Sequence, residues 1–282
     1  MDQTTHPRRS GSYTANLLGN IRSHLAGLQG YDVMALELIQ NAADAIRDAG
    51  ISGRIEVRLT GGYLYCANEG SPLQEEGANA ILHSHVSAKR GHEIGHFGLG
   101  FKSVLGISSH IGVYSRLGSI EFHTDDARRR ILAAVPSYGG PTPGLRLATP
   151  VDPAAIAAED EHLLDLMEWS TTVIRLSRDR ARAIDLARDL AGVPAEFLLF
   201  SPHVAQLRLR DVETGIDRVI RLTPASNEEL LLQDGDQDPA MWRVFRSVHE
   251  MSSAAKEDAG EATARDKVEV AWAVPLERRR AA

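Results

Sequence analysis

One short segment constrains the fold of this chain more than any other: residues 37–45, which read Glu-Leu-Ile-Gln-Asn-Ala-Ala-Asp-Ala. On a helix, Glu37 and Asn41 share one face because they lie four residues apart. Asparagine is uncommon inside helices, where its carboxamide competes for backbone hydrogen bonds. Asp32 is suited to cap a helix and Gly50 to end it, so we expect a helix between these two residues. It would project a carboxylate and a carboxamide from an apolar surface into a polar site that holds an ion, a water or both.

Composition limits the compartment and the partners. The net charge is −7, so no global basic field draws the chain to nucleic acid. No apolar run reaches the length of a membrane span, and the polar N-terminus does not resemble a signal peptide. Cys66 is the one cysteine, which excludes an internal disulfide framework. We expect a cytoplasmic protein without membrane partners; a nucleic-acid partner is not indicated, although local basic patches remain open. The 282 residues suffice for one large domain or two.

Beyond this helix the chain alternates short strands and helices. Strand-like runs at 54–59 and 63–67 flank a Gly-Gly pair and predict a hairpin. Other expected strands are 111–115, 119–123, 172–176, 206–209, 219–222 and 268–274. Other expected helices are 13–28, 154–167 and 179–190.

A glycine cluster spans residues 95–103, which read Gly-His-Phe-Gly-Leu-Gly-Phe-Lys-Ser. Backbone N–H groups around Gly98 and Gly100 can cradle an anion, and a helix starting at Lys102 would add its dipole. A P-loop is disfavoured because Phe101 separates the last glycine from the lysine, and the polar residues before the cluster do not suit a buried strand. Taken alone, the cluster is equally consistent with a tight turn between packed elements.

Four histidines lie in or just before the cluster and raise the question of a metal site. They are His83, His85, His92 and His96. Gly91 and Gly95 argue against one continuous helix there, and no cysteine is near, so the pattern does not match the usual zinc ligands.

Four segments in a fixed order together resemble one family. They are the helix of residues 37–45, the Asn-Glu-Gly loop at 68–70, the glycine cluster at 95–103, and the run Ser-Thr-Thr-Val-Ile-Arg-Leu at 170–176. Together they resemble the Bergerat-fold (GHKL) ATPases, the superfamily that includes the ATPase component of DNA gyrase, the ninety-kilodalton heat-shock chaperones, the MutL mismatch-repair proteins and the sensor histidine kinases. The residues of the 37–45 helix and of the glycine cluster are most similar to those of the chaperone branch and its sacsin-like relatives. The resemblance implies an α+β fold: a two-layer α/β sandwich with helices on one face of a mixed, mostly antiparallel sheet.

The resemblance also implies roles for the helix. Glu37 corresponds to the general base that orients the water attacking the γ-phosphate. Asn41 corresponds to the Mg²⁺ ligand, a role that suits a neutral oxygen. Asp44 corresponds to a residue that meets the nucleotide through water. Without the other motifs, Glu37 and Asp44 would read as ordinary solvated carboxylates.

On the adenine side the sequence departs from the family. Asn68 stands where the family has an Asp that accepts a hydrogen bond from the adenine amino group, so adenine specificity is expected to be softer. Gly70 is expected to let the backbone approach the base. Thr171 matches a family threonine that supports adenine through water, although Ser170 replaces the usual glycine before it. Either Thr171 or Thr172 would face inward in a strand, and the motif favours Thr171.

The remaining implied ATP-binding residues belong to the expected lid, residues 73–97, and to the glycine cluster. They are Lys89, Gly98, Leu99, Gly100, Phe101, Lys102 and Ser103. Lys89 would reach a phosphate when the lid closes, although a solvated lysine is an equally good description.

Residues 1–203 are expected to form the ATP-binding domain. Residues 204–282 are expected to begin a following transducer or middle domain that is cut short of its natural end, because the strand at 268–274 has no obvious later partner. In relatives that domain supplies a basic residue that completes hydrolysis, and no match can be assigned here.

The resemblance therefore implies Mg²⁺-dependent ATP binding with slow hydrolysis. Binding would drive lid closure and conformational switching in a larger chaperone-like protein. The alternative is an ATP-gated interaction module without turnover. A histidine-kinase catalytic domain is disfavoured because no phosphoacceptor helix precedes residue 13. Expected partners are a protein client or partner domain, and a second copy in a homodimer.

Overall fold

The computed structural model describes residues 34–82, 104, 107–140, 142, 144–145, 147–179, 183–226, 229–259 and 266–276. Within these ranges the chain forms eleven strands and eight helices. The strands are β1 Gly53–Leu59, β2 Tyr63–Asn68, β3 His110–Ser115, β4 Ile120–His123, β5 Ala148–Pro150, β6 Thr172–Ser177, β7 Val204–Asp211, β8 Ile216–Ser226, β9 Glu229–Asp234, β10 Ala240–Glu250 and β11 Lys267–Leu276. The helices are α1 Met34–Asp48, α2 Glu75–Leu82, α3 Thr124–Ala134, α4 Pro153–Ala157, α5 Glu161–Trp169, α6 Ala183–Ala191, α7 Phe197–Phe200 and α8 Ser253–Ala259.

All eleven described strands belong to one sheet. Their order is β11-β10-β9-β8-β7-β1-β2-β6-β3-β4-β5. The β1–β7 pair is parallel, and every other described neighbour pair is antiparallel. A mixed and mostly antiparallel sheet therefore agrees with the sequence prediction.

Helix α1 lies on one face of the central strands. Its buried side chains include Leu38, Ile39 and Ile46, which recur at helical spacing and point toward the sheet. They pack with the alternate residues Leu64 and Cys66 of β2. Full burial of each large aliphatic side chain contributes about 1.5–3 kcal/mol, so this stripe anchors α1 and holds its polar residues in place.

The opposite face of the same strands is also covered. Tyr65 and Ala67 of β2 alternate with the α1-facing residues and are buried against Leu163 and Leu166 of α5. Helices α4 and α5 pack together and enclose this second apolar cluster.

The prediction of a two-layer sandwich with helices on one face is therefore wrong. Strand β2 is buried along almost its whole length, and an apolar run of this kind needs cover on both faces. The sheet also extends through β8–β11 as a large mixed sheet that few helices accompany. Sheet, rather than a helical layer, dominates the described residues.

Most predicted elements lie where the sequence placed them. The exception is the helix expected at 154–167, which is two helices separated near Asp160. The carboxylate of Asp152 caps α4 through the N–H of Ala154, and that of Asp160 caps α5 through the N–H of Leu163. The sequence also did not predict α2, α3, α7, β5, β9 or β10. The helix expected at 13–28 lies outside the described residues.

The expected domain boundary at residues 203 and 204 coincides with the start of β7. This strand pairs in parallel with β1, so residues on the two sides of the boundary share one sheet. The final described strand, β11, pairs with β10, the partner that the sequence had not revealed. The division into two domains stays a prediction. In the described part of the chain, no helix combines the length and apolar character needed to cross a membrane.

Candidate functional site

The polar residues of α1 lie where the sequence placed them, on a helix bounded by Met34–Asp48. Glu37 is in the first turn, where a carboxylate interacts favourably with the helix dipole. Glu37 and Asn41 are partly buried, whereas Asp44 is buried. An oxygen of Asp44 lies 3.0 Å from Nη1 of Arg47, one turn later on the same helix.

The loop after β2 packs directly against α1. The N–H of Ser71 donates to the carbonyl of Ala45 at 2.8 Å. A Cβ added to Gly70 would lie 2.3 Å from the Ala45 carbonyl carbon and 2.6 Å from its oxygen. Gly70 was predicted to allow a close approach to a base. The close approach observed here is to the backbone of the helix, and only glycine permits it.

The side chain of Asn68 closes a tight turn with the backbone two residues later. Its Oδ1 accepts a hydrogen bond from the N–H of Gly70 at 2.9 Å. Thr171 immediately precedes β6; its N–H donates to the Asn68 carbonyl at 2.8 Å and its hydroxyl to the Glu69 carbonyl at 3.2 Å. The structure therefore brings Asn68, Gly70 and Thr171 together beside α1.

Glu69 is held by contacts from a neighbouring strand. The backbone N–H and the side-chain Nε of Arg54 donate to its two carboxylate oxygens at 2.8 and 3.2 Å. The Arg54 guanidinium also lies over the ring of Trp169, 4.0 Å from its centroid. Charge-assisted hydrogen bonds and a cation–π contact both restrict the loop between Asn68 and Gly70.

Two further hydroxyls lie near this loop: that of Thr172, the alternative to Thr171, and that of Ser115, which the sequence did not single out. Thr172 and Ser115 are buried neighbours on β6 and β3, with 3.0 Å between their hydroxyl oxygens. Ser115 also accepts the N–H of Leu73 at 2.9 Å, at the start of the expected lid. Thr172 pairs in register with Asn68, which places this alternative to Thr171 beside the loop. The hydroxyl of Ser170 is buried and forms no hydrogen bond with a described residue.

Lys89 and the whole glycine cluster, including Gly98, Leu99, Gly100, Phe101, Lys102 and Ser103, lie outside the described residues, as do the four histidines at 83, 85, 92 and 96. Val104, the next residue, is buried in the same core as α1. The first part of the expected lid forms helix α2. Among the described residues, no group of three or more His, Cys, Asp or Glu side chains is arranged to hold a metal ion.

A second polar cluster lies on the opposite face of the sheet, around Arg175. Its guanidinium donates to Asp160 at 2.9 Å and to Glu121 at 3.1 Å. Tyr65 donates to Asp160 at 3.0 Å, and Tyr114 donates to Glu121 at 2.5 Å. These groups are largely buried and satisfy one another, so the cluster ties β2, β3, β4 and β6 to the start of α5.

Burial strongly perturbs the acids of this cluster. It raises the pKa of both tyrosines, Tyr65 and Tyr114, far above the ordinary value, and their hydrogen bonds to carboxylates raise it further. For Glu121, burial alone would raise the pKa. Hydrogen bonds from His110 and Tyr114 and the nearby Arg175 charge outweigh burial and lower the Glu121 pKa to about 2.

His203 connects α1 to the start of β7. Burial lowers its pKa below the ordinary value, although a hydrogen bond to the Ala43 backbone acts in the opposite direction. Its carbonyl accepts the N–H of Gly53 at 3.0 Å. Its Nε2 is buried and makes no hydrogen bond to any described residue, which agrees with burial as the cause of the lowered pKa.

Comparisons with known proteins add no assignment to this geometry. No protein-family model matches the chain, and no curated protein matches its sequence.

Proposed function

We propose that this chain binds Mg²⁺-ATP between α1 and the loop after β2, and that it hydrolyses ATP slowly. The observation that carries the proposal is the convergence of three motifs that are distant in sequence. Thr171 donates to the carbonyl of Glu69, 102 residues earlier, and the same loop contacts the α1 backbone at Ala45. Segments that the motifs assign to one nucleotide site therefore lie side by side.

The α1 side of this site supplies the groups for phosphate chemistry. Glu37 is the proposed general base, since hydrolysis needs a positioned acceptor for the proton of the attacking water. Asn41 lies on the same helical face and offers one neutral oxygen. Such an oxygen fits Mg²⁺, which keeps several waters and takes its other ligands from phosphates. The metal would neutralise charge on the phosphates, and Asp44 would order water near the nucleotide.

The loop side supplies the base pocket. Asn68 is the proposed base-reading residue, and Gly70 and Thr171 hold its loop against α1 and β6. Lys89 and residues 98–103 complete the phosphate side of the proposal and stay predictions from the sequence.

Isothermal titration calorimetry with Mg²⁺-ATP and a phosphate-release assay test this function. Glu37→Ala should retain ATP binding and lower turnover by about 10²–10⁴-fold, the usual contribution of a general base. Glu161→Ala is the matched control, because Glu161 is an exposed acid in the first turn of α5, which covers the opposite face of the sheet. Turnover at the wild-type rate in Glu37→Ala would contradict the role of Glu37, and no binding of Mg²⁺-ATP would contradict the proposed function.

A second candidate function is an interaction module in which ATP binding alone orders the lid and docks a partner. One observation favours it: four of the described arginines after residue 204, the segment expected to supply the basic residue that completes hydrolysis, are already engaged in ion pairs with nearby acids. The pairs are Arg208–Asp217, Arg218–Asp234, Arg243–Glu229 and Arg246–Glu269. Single-turnover hydrolysis by the full chain separates the two candidates, because the module would bind ATP and release no phosphate.

A further inference from the structure

The side-chain amide of Asn68 has an orientation that its own loop determines. The N–H of Gly70 donates to it at 2.9 Å, and an N–H can bond only the oxygen end of a carboxamide. The oxygen and nitrogen positions are therefore assigned by hydrogen-bonding chemistry. Across the described residues no protein acceptor takes the Nδ2 hydrogens. The NH₂ end is the part of Asn68 left for a ligand.

The surrounding contacts prevent the amide from turning over. Arg54 holds Glu69 through two hydrogen bonds, at 2.8 and 3.2 Å. Gly70 lies against the backbone of Ala45 with no space for even a methyl group. A rotated Asn68 amide would place its NH₂ against the Gly70 N–H. Two donors would then face each other in a loop where Asn68 is 4% exposed, and a buried unsatisfied donor is costly.

This orientation has a consequence for the base that the pocket reads. Adenine carries an amino group at position 6, which is a donor, whereas guanine and hypoxanthine carry a carbonyl oxygen there, which is an acceptor. An Asp at position 68 would have one oxygen for the Gly70 N–H and a second for the adenine amino group. Asn68 has only one oxygen, and its NH₂ complements a carbonyl rather than an amine.

We propose that Asn68 makes the pocket accept 6-oxo purine nucleotides at least as well as adenine nucleotides. This inference rests on the proposed nucleotide site and names its base specificity. Residue 68 selects the base. The residues of α1 act on the phosphates, and their action does not depend on which base is bound.

The test is a comparison of dissociation constants for Mg²⁺-ATP and Mg²⁺-ITP by calorimetry. ITP differs from ATP in the 6-oxo group and its N1 proton, and it lacks the additional 2-amino group of GTP. In the wild-type protein, ITP should bind within about threefold of ATP or more tightly. Asn68→Asp should shift the ITP-to-ATP ratio toward ATP by about tenfold or more, because one hydrogen bond is gained with ATP and one is lost with ITP. Gln237→Glu is the matched control, since it makes the same amide-to-carboxylate change at an exposed position between β9 and β10 and should leave the ratio unchanged.

Each other outcome overturns the inference. Wild-type binding of ATP more than about threefold tighter than ITP would show that the amide oxygen reads the base. A ratio in folded Asn68→Asp that changes by less than about threefold would show that residue 68 does not contact position 6. If circular dichroism shows that Asn68→Asp is unfolded, the wild-type ratio decides alone. If neither nucleotide binds, the proposed nucleotide site fails and this inference fails with it, whereas binding with the wrong ratio rejects only the inference.

Discussion

Replacement of Gly70 by alanine is the sharpest test of how the loop after β2 meets α1. The added methyl group would lie 2.3 Å from the Ala45 carbonyl carbon and 2.4 Å from the Ile46 nitrogen. Both atoms belong to the backbone of a helix whose apolar face is buried, so neither can move alone. The loop must retreat by about 1 Å to restore ordinary contact distances.

The cost can be estimated from two separate effects. Forcing extra volume into a packed region costs about 1–3 kcal/mol. Retreat of the loop also breaks the 2.8 Å hydrogen bond from the Ser71 N–H to the Ala45 carbonyl, worth about 1 kcal/mol. We expect Gly70→Ala to lower the free energy of unfolding by about 3 kcal/mol, which corresponds to a fall in Tm of roughly 6–12 °C for a chain of this size.

Urea unfolding followed by circular dichroism measures this change, and Gly62→Ala is the matched control. Gly62 lies in the β1–β2 turn with no atom within 4 Å of an added Cβ. Its replacement should therefore be neutral or stabilise slightly through the unfolded state. A loss below about 1 kcal/mol in Gly70→Ala would refute the close packing of this loop on α1. An equal loss in both variants would show that the effect is not specific to the contact.

Two further predictions concern pH. The pKa of Glu121 is about 2 in the folded protein against an ordinary 4.5. Its stabilisation is therefore complete above about pH 4.5 and is lost as the pH falls toward 2. Urea unfolding of Glu121→Gln between about pH 7 and about pH 3 should show a weaker pH dependence than wild type, by on the order of 2 kcal/mol, and identical curves would contradict this. Burial lowers the pKa of His203 below its ordinary 6.5, so the unfolded chain takes up the proton first and stability falls as the pH drops below about 6.5. His203→Asn should flatten this slope, whereas His249→Asn, at an exposed position, should preserve it; an unchanged slope in His203→Asn would place the titration elsewhere.

The elements that the sequence predicted well are those specified by local pattern. The spacing of apolar residues predicted α1, and the Gly-Gly pair between two strand-like runs predicted the β1–β2 hairpin. The prediction that helices cover only one face of the sheet was wrong. The run from Tyr63 to Ala67 is apolar on both faces, a signal for two-sided burial, but the family resemblance outweighed it. Strands β9 and β10 were missed because mixed polar and apolar residues obscure their alternation.

For the candidate site, the sequence identified residue types but not all of their partners. It singled out Asn68, Gly70 and Thr171, and these three do lie together. It assigned Gly70 to a base, which stays a prediction, and it did not reveal that Gly70 lies against the backbone of α1. It did not reveal Arg54, because the Arg54–Glu69 contact depends on the register of two strands rather than on any motif.

By itself, then, the sequence determined α1 and the β1–β2 hairpin, and it singled out the side chains that are proposed to serve a nucleotide. Those properties follow from periodicity and turn chemistry within a few residues. Only the tertiary structure decided that helices cover both faces of the central strands, and that the Asn68 amide directs its oxygen to the N–H of Gly70. Such features depend on contacts between residues as distant as Glu69 and Thr171, and no local pattern encodes which distant groups will satisfy one another's hydrogen bonds.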